Sequence, residues 1–247
     1  MNLEEYAVMY QVEDTHWWYR GMARITRALL NRRYAPGAAL RILDAGCGTG
    51  AVMTSYLAEY GQVTGFDFAA VALHFCQQRG ATRLAQASIV ELPFADASFD
   101  LAVSFDVLCE QAVRDDGVAL RALYRVLAPD GRLVLRLPAY NWLRGQHDRA
   151  VHIRHRYTRG ELAARLQAAG FEVEQLSYAN MLLFPVAVAK RMGERLWPPK
   201  SAGSDLTLGV SSLNSVLQAI LSAEAPLIAR VGLPFGLTVI AIARKPQ

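Results

Sequence analysis

The stretch LRILDAGCGTG, from Leu40 to Gly50, decides the fold of this chain. An apolar segment ends in an acid and is followed by glycines at alternate positions, Gly46, Gly48 and Gly50. Glycines let a ligand approach the backbone amides at the start of a helix, which the sequence predicts over 51–60. The stretch therefore predicts a strand, a turn and a helix that together bind a nucleotide-like cofactor.

A second acid follows the second predicted strand, where a cofactor-binding strand–helix–strand unit has one. Asp67 follows an apolar segment, 62–66, that we predict to be the next strand. An acid at the end of the second strand accepts hydrogen bonds from a ribose diol. The alternative is that the glycines only form a tight turn and Asp67 only begins a helix. We favour the cofactor site because both contacts fall in one strand–helix–strand unit.

Length and composition favour a single α/β domain. The chain has 247 residues, 53% of them hydrophobic, which suffices for a substantial core. Its net charge of +4 excludes neither nucleic acid nor acidic small molecules as partners. The three cysteines, Cys47, Cys76 and Cys109, lack the spacing of a disulfide framework or a zinc site, and the start of the chain lacks a secretory signal pattern. We therefore expect a cytoplasmic protein without a metal.

Two uncharged segments, 175–189 and 206–223, are too polar to span a membrane. We expect buried lid or dimer helices there, and a homodimer is one possibility. An apolar substrate channel or a membrane-surface contact is the alternative.

Strands and helices alternate through the centre of the sequence, which predicts a mainly parallel sheet. The predicted strands are 40–44, 62–66, 83–87, 99–104, 131–137, 171–178 and 236–243. The predicted helices are 3–11, 18–33, 50–60, 70–79, 114–127 and 158–169.

Four segments together resemble the successive motifs of class I S-adenosylmethionine (SAM) dependent methyltransferases with a UbiE-like core. They are LRILDAGCGTG, VTGFD (63–67), ELPFADASFDLAVSFDVL (91–108) and LYRVLAPDGRLVLRLP (123–138). NAD-dependent dehydrogenases share the glycine turn, but the last two segments resemble the methyltransferase pattern. The flanking HWWYRG (16–21) and LPFG (233–236) resemble a mostly uncharacterised bacterial branch of that family.

The resemblance implies a Rossmann-like, seven-stranded, mainly parallel sheet with an antiparallel last strand. It implies one methyltransferase domain over 1–247, made of an N-terminal helical cap (1–37), the core (38–178), a helical lid insertion (179–235) and the last strand (236–247). SAM would be the cofactor and S-adenosylhomocysteine the product.

The resemblance also implies which residues contact SAM. Asp44 would meet the ammonium group or an ordered water, Asp67 the ribose hydroxyls, and Phe68 the adenine ring. Apart from the resemblance, closure of the segment 16–20 over SAM would offer Arg20 to the methionine carboxylate. The full set of cofactor residues is Asp44, Gly46, Cys47, Gly48, Gly50, Asp67, Phe68, Ser88, Ile89, Phe105 and Arg20.

The sequence departs from the family pattern at three positions. Ser88 stands where an Asp commonly binds the adenine amine, which predicts weaker adenine selection because hydrogen bonds involving a charge are the stronger ones. Ala69 replaces a common helix-capping Ser. Glu110 occupies a common His position near the sulfonium, so it is a candidate base, or else a solvated residue at a helix start.

A basic loop follows the fifth strand. It contains three histidines, His147, His152 and His155, and five arginines, Arg144, Arg149, Arg154, Arg156 and Arg159, beside a single acid, Asp148. Arginine forks bind phosphate and carboxylate, so the loop predicts a pocket for an anionic substrate, with His147 or His152 as a general base. The alternative is that the arginines form ion pairs or point to water.

Aromatic residues between the first two helices suggest a cover for a sulfonium cation, although anchoring the helix is an equal alternative. With the basic loop they give a predicted substrate set of Trp17, Trp18, Tyr140, His155, Arg156 and Tyr157, and a catalytic set of His147, His152 and Glu110.

These observations predict an enzyme that transfers a methyl group from SAM to an O, N or C atom of a small molecule, anionic or partly apolar, with no nucleic-acid partner. One alternative is an RNA-modifying methyltransferase, which would need a broad basic surface. The other is a SAM-binding protein that uses the cofactor for different chemistry.

Overall fold

A computed structural model describes residues 3–145, 148, 151–196 and 213–247. The helices are α1 (Leu3–Val12), α2 (Trp17–Leu30), α3 (Ala51–Ser55), α4 (Ala70–Gln78), α5 (Asp116–Val126), α6 (Arg159–Ala168), α7 (Phe184–Leu196), α8 (Asn214–Ala223) and α9 (Ala225–Arg230). The strands are β1 (Leu40–Ala45), β2 (Gly61–Asp67), β3 (Leu84–Gln86), β4 (Phe99–Phe105), β5 (Leu127–Pro138), β6 (Glu172–Ala179) and β7 (Thr238–Arg244).

The strands form one seven-stranded sheet in the order β3-β2-β1-β4-β5-β7-β6. The first five strands run parallel, and β7 lies antiparallel between β5 and β6. This arrangement confirms the predicted fold class. The order reverses between β1 and β4, and open α/β sheets bind ligands beside such a reversal, at the carboxyl ends of the strands.

The sheet interior is apolar, because strands covered on both faces read as continuous hydrophobic runs. Leu133, Leu135 and Leu137 of β5 are fully buried, as are Val239 and Ile242 of β7. Among the buried residues of β5 one is charged, namely Arg136, and it lines the cavity described below.

Side chains cap several helices. Thr158 accepts a hydrogen bond from the backbone of Glu161, as the sequence predicts for α6. Asp115 caps α5 through Gly117 and Val118, and His16 caps α2 through Trp18. The last of these caps fixes the orientation of the aromatic residues at the start of α2.

One predicted helix is shorter than expected. The helix predicted over 51–60 ends at Ser55 and continues as a 3-10 turn, Leu57–Glu59. The chain must turn here because β2 begins at Gly61, where a Cβ atom would lie only 2.0 Å from the carbonyl oxygen of Leu40. The tighter turn also buries Tyr56 and Tyr60.

The segment predicted as a lid holds α7, α8 and α9 among its described residues, while 197–212 lie outside them. Both α8 and α9 pack against α2, so they join the N-terminal helix in one layer. The backbone amide of Trp17 donates to the Asn214 side chain at 2.8 Å and ties α2 to α8. Among the described helices, none has both the length and the apolarity needed to cross a bilayer.

Candidate functional site

A cavity of about 1540 Å³ opens at the carboxyl ends of β1, β2, β4 and β5. Helices α1, α2 and α7 contribute the opposite walls. Of the predicted site residues, the cavity is lined by Arg20, Asp44, Gly46, Cys47, Gly48, Asp67, Phe68, Ser88, Ile89, Phe105, Glu110, Trp17, Trp18, His152 and Arg156. Most of the predicted cofactor residues therefore converge on one space.

The glycine turn is shaped as the sequence predicts. Gly46 and Gly48 have φ angles of +81° and +54°, which side chains rarely adopt. A Cβ atom on Gly46 would lie 2.3 Å from a methyl carbon of Val107, and one on Gly48 would lie 2.9 Å from Met9 Cε. Gly50 also has a positive φ, but it packs against Cys76 of α4 and does not line the cavity.

Asp67 is held rigidly at the end of β2. One carboxylate oxygen accepts from the amide of Gly48 at 3.0 Å, and the other accepts from the amide of Ala69 at 2.9 Å. The hydroxyl of Tyr6, from α1, lies 3.4 Å from the same carboxylate. Burial raises the pKa of Asp67, although these hydrogen bonds oppose the shift.

Asp44 is the most unusual acid in the cavity. It is 2% exposed, and its Oδ2 has no hydrogen-bond partner within the described part of the chain. Burial, with a contribution from the charge of Asp67, raises the pKa of Asp44 to about 7. A buried carboxylate without a partner is costly, so this position suits a cationic ligand.

The end of the cavity beside β3 is more open. Phe68 is 71% exposed at the rim, while Ile89 is buried. Ser88 accepts weakly from the amide of Val90 at 3.5 Å, so its hydroxyl can still orient towards a ligand. This is the end at which the resemblance places the adenine.

Glu110 lies on the other side of the cavity, after β4. Burial raises the pKa of Glu110 to about 7, and the charges of Asp67 and Asp106 add to the shift. Its backbone bridges to Ile153 in the basic loop. A pKa raised towards neutrality suits a general base.

An ion pair between a buried arginine and a half-buried aspartate in the same cavity was not predicted from the sequence. Nε and Nη2 of Arg136 bind Oδ2 of Asp106 at 2.9 and 2.8 Å. The guanidinium carbon of Arg136 lies 4.7 Å from the ring centre of Trp18 and 4.5 Å from that of Phe105. The signal in the sequence was an arginine inside an apolar strand, LVLRLP.

Helix α1 was also missed as part of the site. Tyr6, Met9 and Glu13 line the cavity, and Glu13 accepts a hydrogen bond from the hydroxyl of Thr49 beside the glycine turn. The sequence predicted the helix but gave no reason to place it over the cofactor, because its contacts join residues far apart in the chain.

The basic loop is largely neutralised by its own contacts. Arg154 pairs with Asp116, and Arg156 pairs with Asp148 at 2.8 Å. Arg144 donates to the carbonyl of Ile153 at 2.7 Å. These contacts match the alternative of structural ion pairs, although Arg156 also lines the cavity.

Three predicted substrate residues lie away from the cavity, which corrects the prediction. Tyr157 is fully buried and donates to Asp116 at 2.7 Å. His155 contacts Glu161 at 2.7 Å through Nε2, and the ring of Tyr140 stacks on Tyr178. His147, predicted as a candidate base, lies outside the described residues, whereas His152 lines the cavity.

Comparisons with known proteins agree with this geometry. Residues 43–135 match a family model described as a methyltransferase domain. The chain is 44% identical over 92 residues to a malonyl-[acyl-carrier protein] O-methyltransferase of Pseudescherichia vulneris, covering 36% of each chain. It is 38% identical over 130 residues to the ubiquinone/menaquinone biosynthesis C-methyltransferase UbiE of Rubrivivax gelatinosus, covering 50% of each. The chain thus spans half or less of the length of these two relatives.

Solved structures share the fold over most of the chain. A putative methyltransferase of Haloferax volcanii, solved in complex with the Trm112 activator, has a TM-score of 0.63 at 17% identity and covers 99% of this chain and 94% of that one. The [4+2]-cyclase SpnF has a TM-score of 0.59 at 22% identity, over 91% of this chain and 80% of its own. At such identities these likenesses concern the fold alone.

The fold is an α/β domain whose cavity lies at the carboxyl ends of the strands, where open α/β sheets bind their ligands. More narrowly, residues 43–135 match the methyltransferase domain, and over this part the chain is similar to named methyltransferases.

The residues present fit SAM. This cofactor carries positive charges on its sulfur and its amino group, and the cavity offers an unpartnered buried oxygen of Asp44 together with Asp67 and Glu110. Gly46 and Gly48 leave the backbone accessible where a side chain would otherwise intrude. The carboxylates that raise one another's pKa would be stabilised by a bound cation.

Proposed function

We propose that this protein transfers a methyl group from SAM to an O, N or C atom of a small molecule. The observation that carries the proposal is the partnerless buried oxygen of Asp44 beside the glycine turn, in a cavity that also contains Glu110. When bound, SAM supplies a methyl group on a positively charged sulfur. The residues of this chain then have three tasks, which are to bind the cofactor, orient the acceptor and accept a proton.

Asp44 and Asp67 would hold the cofactor. Asp44 offers a free oxygen to an ammonium group, and Asp67 is fixed by Gly48 and Ala69 in a position suited to ribose hydroxyls. A rigid cofactor matters because alignment of the acceptor with the methyl carbon provides much of the rate acceleration. Helix α1 and Trp18 would cover the site and exclude water.

Glu110 would accept the proton when the acceptor is a hydroxyl or an amine. It lines the cavity on the β4 side, opposite the adenine end at Phe68 and Ser88. His152 is the second candidate, since it lines the same part of the cavity. A carbon or already ionised acceptor would need neither.

The paired arginines of the basic loop argue against an RNA substrate. Arg154, Arg156 and Arg144 bind Asp116, Asp148 and the Ile153 carbonyl, so they do not form the broad basic surface that RNA recognition needs. A non-methylating role remains an outcome of the experiment below, because the [4+2]-cyclase shares this fold. Cytoplasmic location, the homodimer and the division into cap, core and lid stay predictions.

The test combines binding and turnover. We expect calorimetry to show SAM binding to the wild type and a labelled-methyl assay to detect transfer to small-molecule acceptors. Gly48→Asp should abolish SAM binding because the side chain enters the cofactor site at a positive φ. Gly160→Asp is the matched control, since Gly160 is exposed at the start of α6 with no atom near its Cβ.

His152→Ala should leave SAM binding intact and slow transfer. Unchanged turnover in that variant would remove His152 from the mechanism. Absence of SAM binding in the wild type would overturn the proposed function, whereas binding without transfer to any acceptor would favour the non-methylating alternative.

A further inference from the structure

Arg136 is a buried cation whose hydrogen bonds are only partly used. It is 7% exposed and lines the cavity at the end of β5. Nε and Nη2 both bind the same oxygen of Asp106. Within the described part of the chain, Nη1 donates no hydrogen bond to another residue.

This arrangement is costly for a residue with a purely structural role. Removing a guanidinium from water carries a large desolvation penalty, and one shared carboxylate oxygen offsets it only in part. The rings of Trp18 and Phe105 lie against the group at 4.7 and 4.5 Å and hold its plane in place. A fixed guanidinium with an unused N–H at a cavity wall is a binding site for an anion.

Arg136 lies on a different strand from the two acids that would hold the cofactor. Asp44 ends β1 and Asp67 ends β2, whereas β5 lies two strands from β1 on the other side, with β4 between them. Neighbouring strands are about 4.8 Å apart, so the backbone of Arg136 is roughly 10 Å to the side of β1. Arg136 therefore enters the cavity from its β5 half, and its charge also reaches Asp44, whose pKa it lowers.

The same half of the cavity has an apolar wall. Leu143, just after β5, and Leu183, Val186 and Ala187, at α7, all line it. Val186 is 67% exposed although it lines the cavity, which places it at the mouth. Lys190 and Arg191 of the same helix also line the cavity, so a ligand that reaches Arg136 from this mouth meets both apolar and basic side chains.

We propose that Arg136 binds the anionic head of the acceptor substrate, a carboxylate or phosphate on an apolar body. Asp106 and the two aromatic rings position the guanidinium, and the wall around Leu183 and Val186 accepts the apolar part. This inference rests on the proposed function and names the substrate class of the same site. The sequence suggested that the loop arginines bind an anionic substrate. Here that role belongs to Arg136, a residue of the sheet.

The test uses octanoate, octyl phosphate and octanol as probes, titrated by calorimetry into the full chain with and without S-adenosylhomocysteine. We expect the two anions to bind more tightly than octanol. Arg136→Met should weaken anion binding by about 10-fold to 100-fold, the range for a lost charge-assisted hydrogen bond, and leave octanol binding unchanged. The relative strength of octanoate and octyl phosphate decides between a carboxylate and a phosphate.

Asp106→Asn should change the affinity for anions in the direction opposite to Arg136→Met. The amide still accepts from Arg136 but no longer neutralises it, so anion binding should become tighter. If the pair of Arg136 and Asp106 were only structural, both variants would bind the anions more weakly. Arg41→Met is the matched control, because Arg41 pairs with Asp100 at the surface and does not line the cavity. If Arg136→Met alone does not fold, the double variant Arg136→Met/Asp106→Asn removes both charges and takes its place.

Several results would overturn the inference. One is equal octanoate affinity in the wild type and Arg136→Met, or no discrimination between octanoate and octanol by the wild type. Another is weaker anion binding in Asp106→Asn. A third is a 10-fold loss of S-adenosylhomocysteine affinity in Arg136→Met, together with competition between octanoate and S-adenosylhomocysteine for the protein. That result would assign Arg136 to the cofactor. Failure of the wild type to bind S-adenosylhomocysteine would instead count against the proposed function, and the cofactor-free titrations would still test Arg136.

Discussion

The guanidinium of Arg79 lies 2.9 Å from a carboxylate oxygen of Glu13, which ties α4 to the end of α1. The same arginine binds Asp14 at 2.9 Å and lies 4.6 Å from the ring centre of Tyr10. Since α1 lines the cavity, this side chain helps to hold that wall against α4, together with the contacts of Tyr6 and Glu13 described above.

We expect Arg79→Met to loosen that wall. Burial already raises the pKa of Glu13, and loss of the cation leaves the carboxylate without its main charge partner. The affinity for S-adenosylhomocysteine should fall by about 5-fold to 30-fold, chiefly through faster dissociation, which stopped-flow fluorescence of the nearby tryptophans measures. Arg41→Met should not change the dissociation rate. An unchanged rate in Arg79→Met would show that α1 does not control cofactor release.

Asp44→Asn should weaken cofactor binding and raise the free energy of unfolding. The pKa of Asp44 rises from 3.8 to about 7 on folding, so the folded protein binds a proton more tightly than the unfolded chain does. The free energy of unfolding therefore falls as pH rises from about 4 to about 7, at about 1.4 kcal/mol for each pKa unit, and the penalty is complete above pH 7.

Urea unfolding of cofactor-free protein at pH 5 and pH 8 measures this effect. The Asn variant should be more stable than the wild type, by a margin that grows from pH 5 to pH 8, and should bind SAM at least 10-fold more weakly. A margin that is the same at both pH values would contradict the assignment of the buried charge to Asp44.

Glu110→Gln should remove a pH dependence from catalysis. With an acceptor that loses a proton, kcat/KM of the wild type should rise with pH and level off near pH 7, where Glu110 becomes ionised. The Gln variant should be slower by about 100-fold or more and lack that rise. Glu172→Gln, at the exposed end of β6, is the control. Persistence of the wild-type profile in Glu110→Gln would identify another group as the base.

Tyr157→Phe should reduce stability without affecting the site. The Tyr157 hydroxyl donates to Asp116, which is 2% exposed and also pairs with Arg154 and Arg165. Loss of this bond inside a buried network should lower the free energy of unfolding by about 1 to 3 kcal/mol. Cofactor affinity should stay the same. A normal melting temperature combined with slower methyl transfer would instead indicate that Tyr157 belongs to the substrate site, as the sequence predicted.

The sequence was sufficient where local chemistry decides the structure. The positive φ angles of Gly46 and Gly48, and the acid at the end of β2, depend on residues close together in the chain, so the shape of the glycine turn was predictable. The mainly parallel seven-stranded sheet and its antiparallel last strand followed from the resemblance to a known family.

The acceptor half was not predictable, because its contacts are distant in sequence. The loop arginines looked free beside one acid, Asp148, yet Arg154 pairs with Asp116, which lies 38 positions earlier. Arg136 looked like a strand residue because only the fold brings Trp18, Phe105 and Asp106 around it. The sequence suggested that Tyr157 was an aromatic residue of the basic loop that contacts the substrate, although its side chain is fully buried in the core.

The insertion of β7 between β5 and β6 has a consequence for how the protein is made. Within the described sheet, β6 has β7 as its only neighbour, so no ladder can form on β6 until residues 238–244 have left the ribosome. During synthesis the edges of β5 and β6 stay open, and open strand edges are sites of aggregation. Nascent chains stalled before residue 238 should therefore depend on chaperones more than chains released after residue 244.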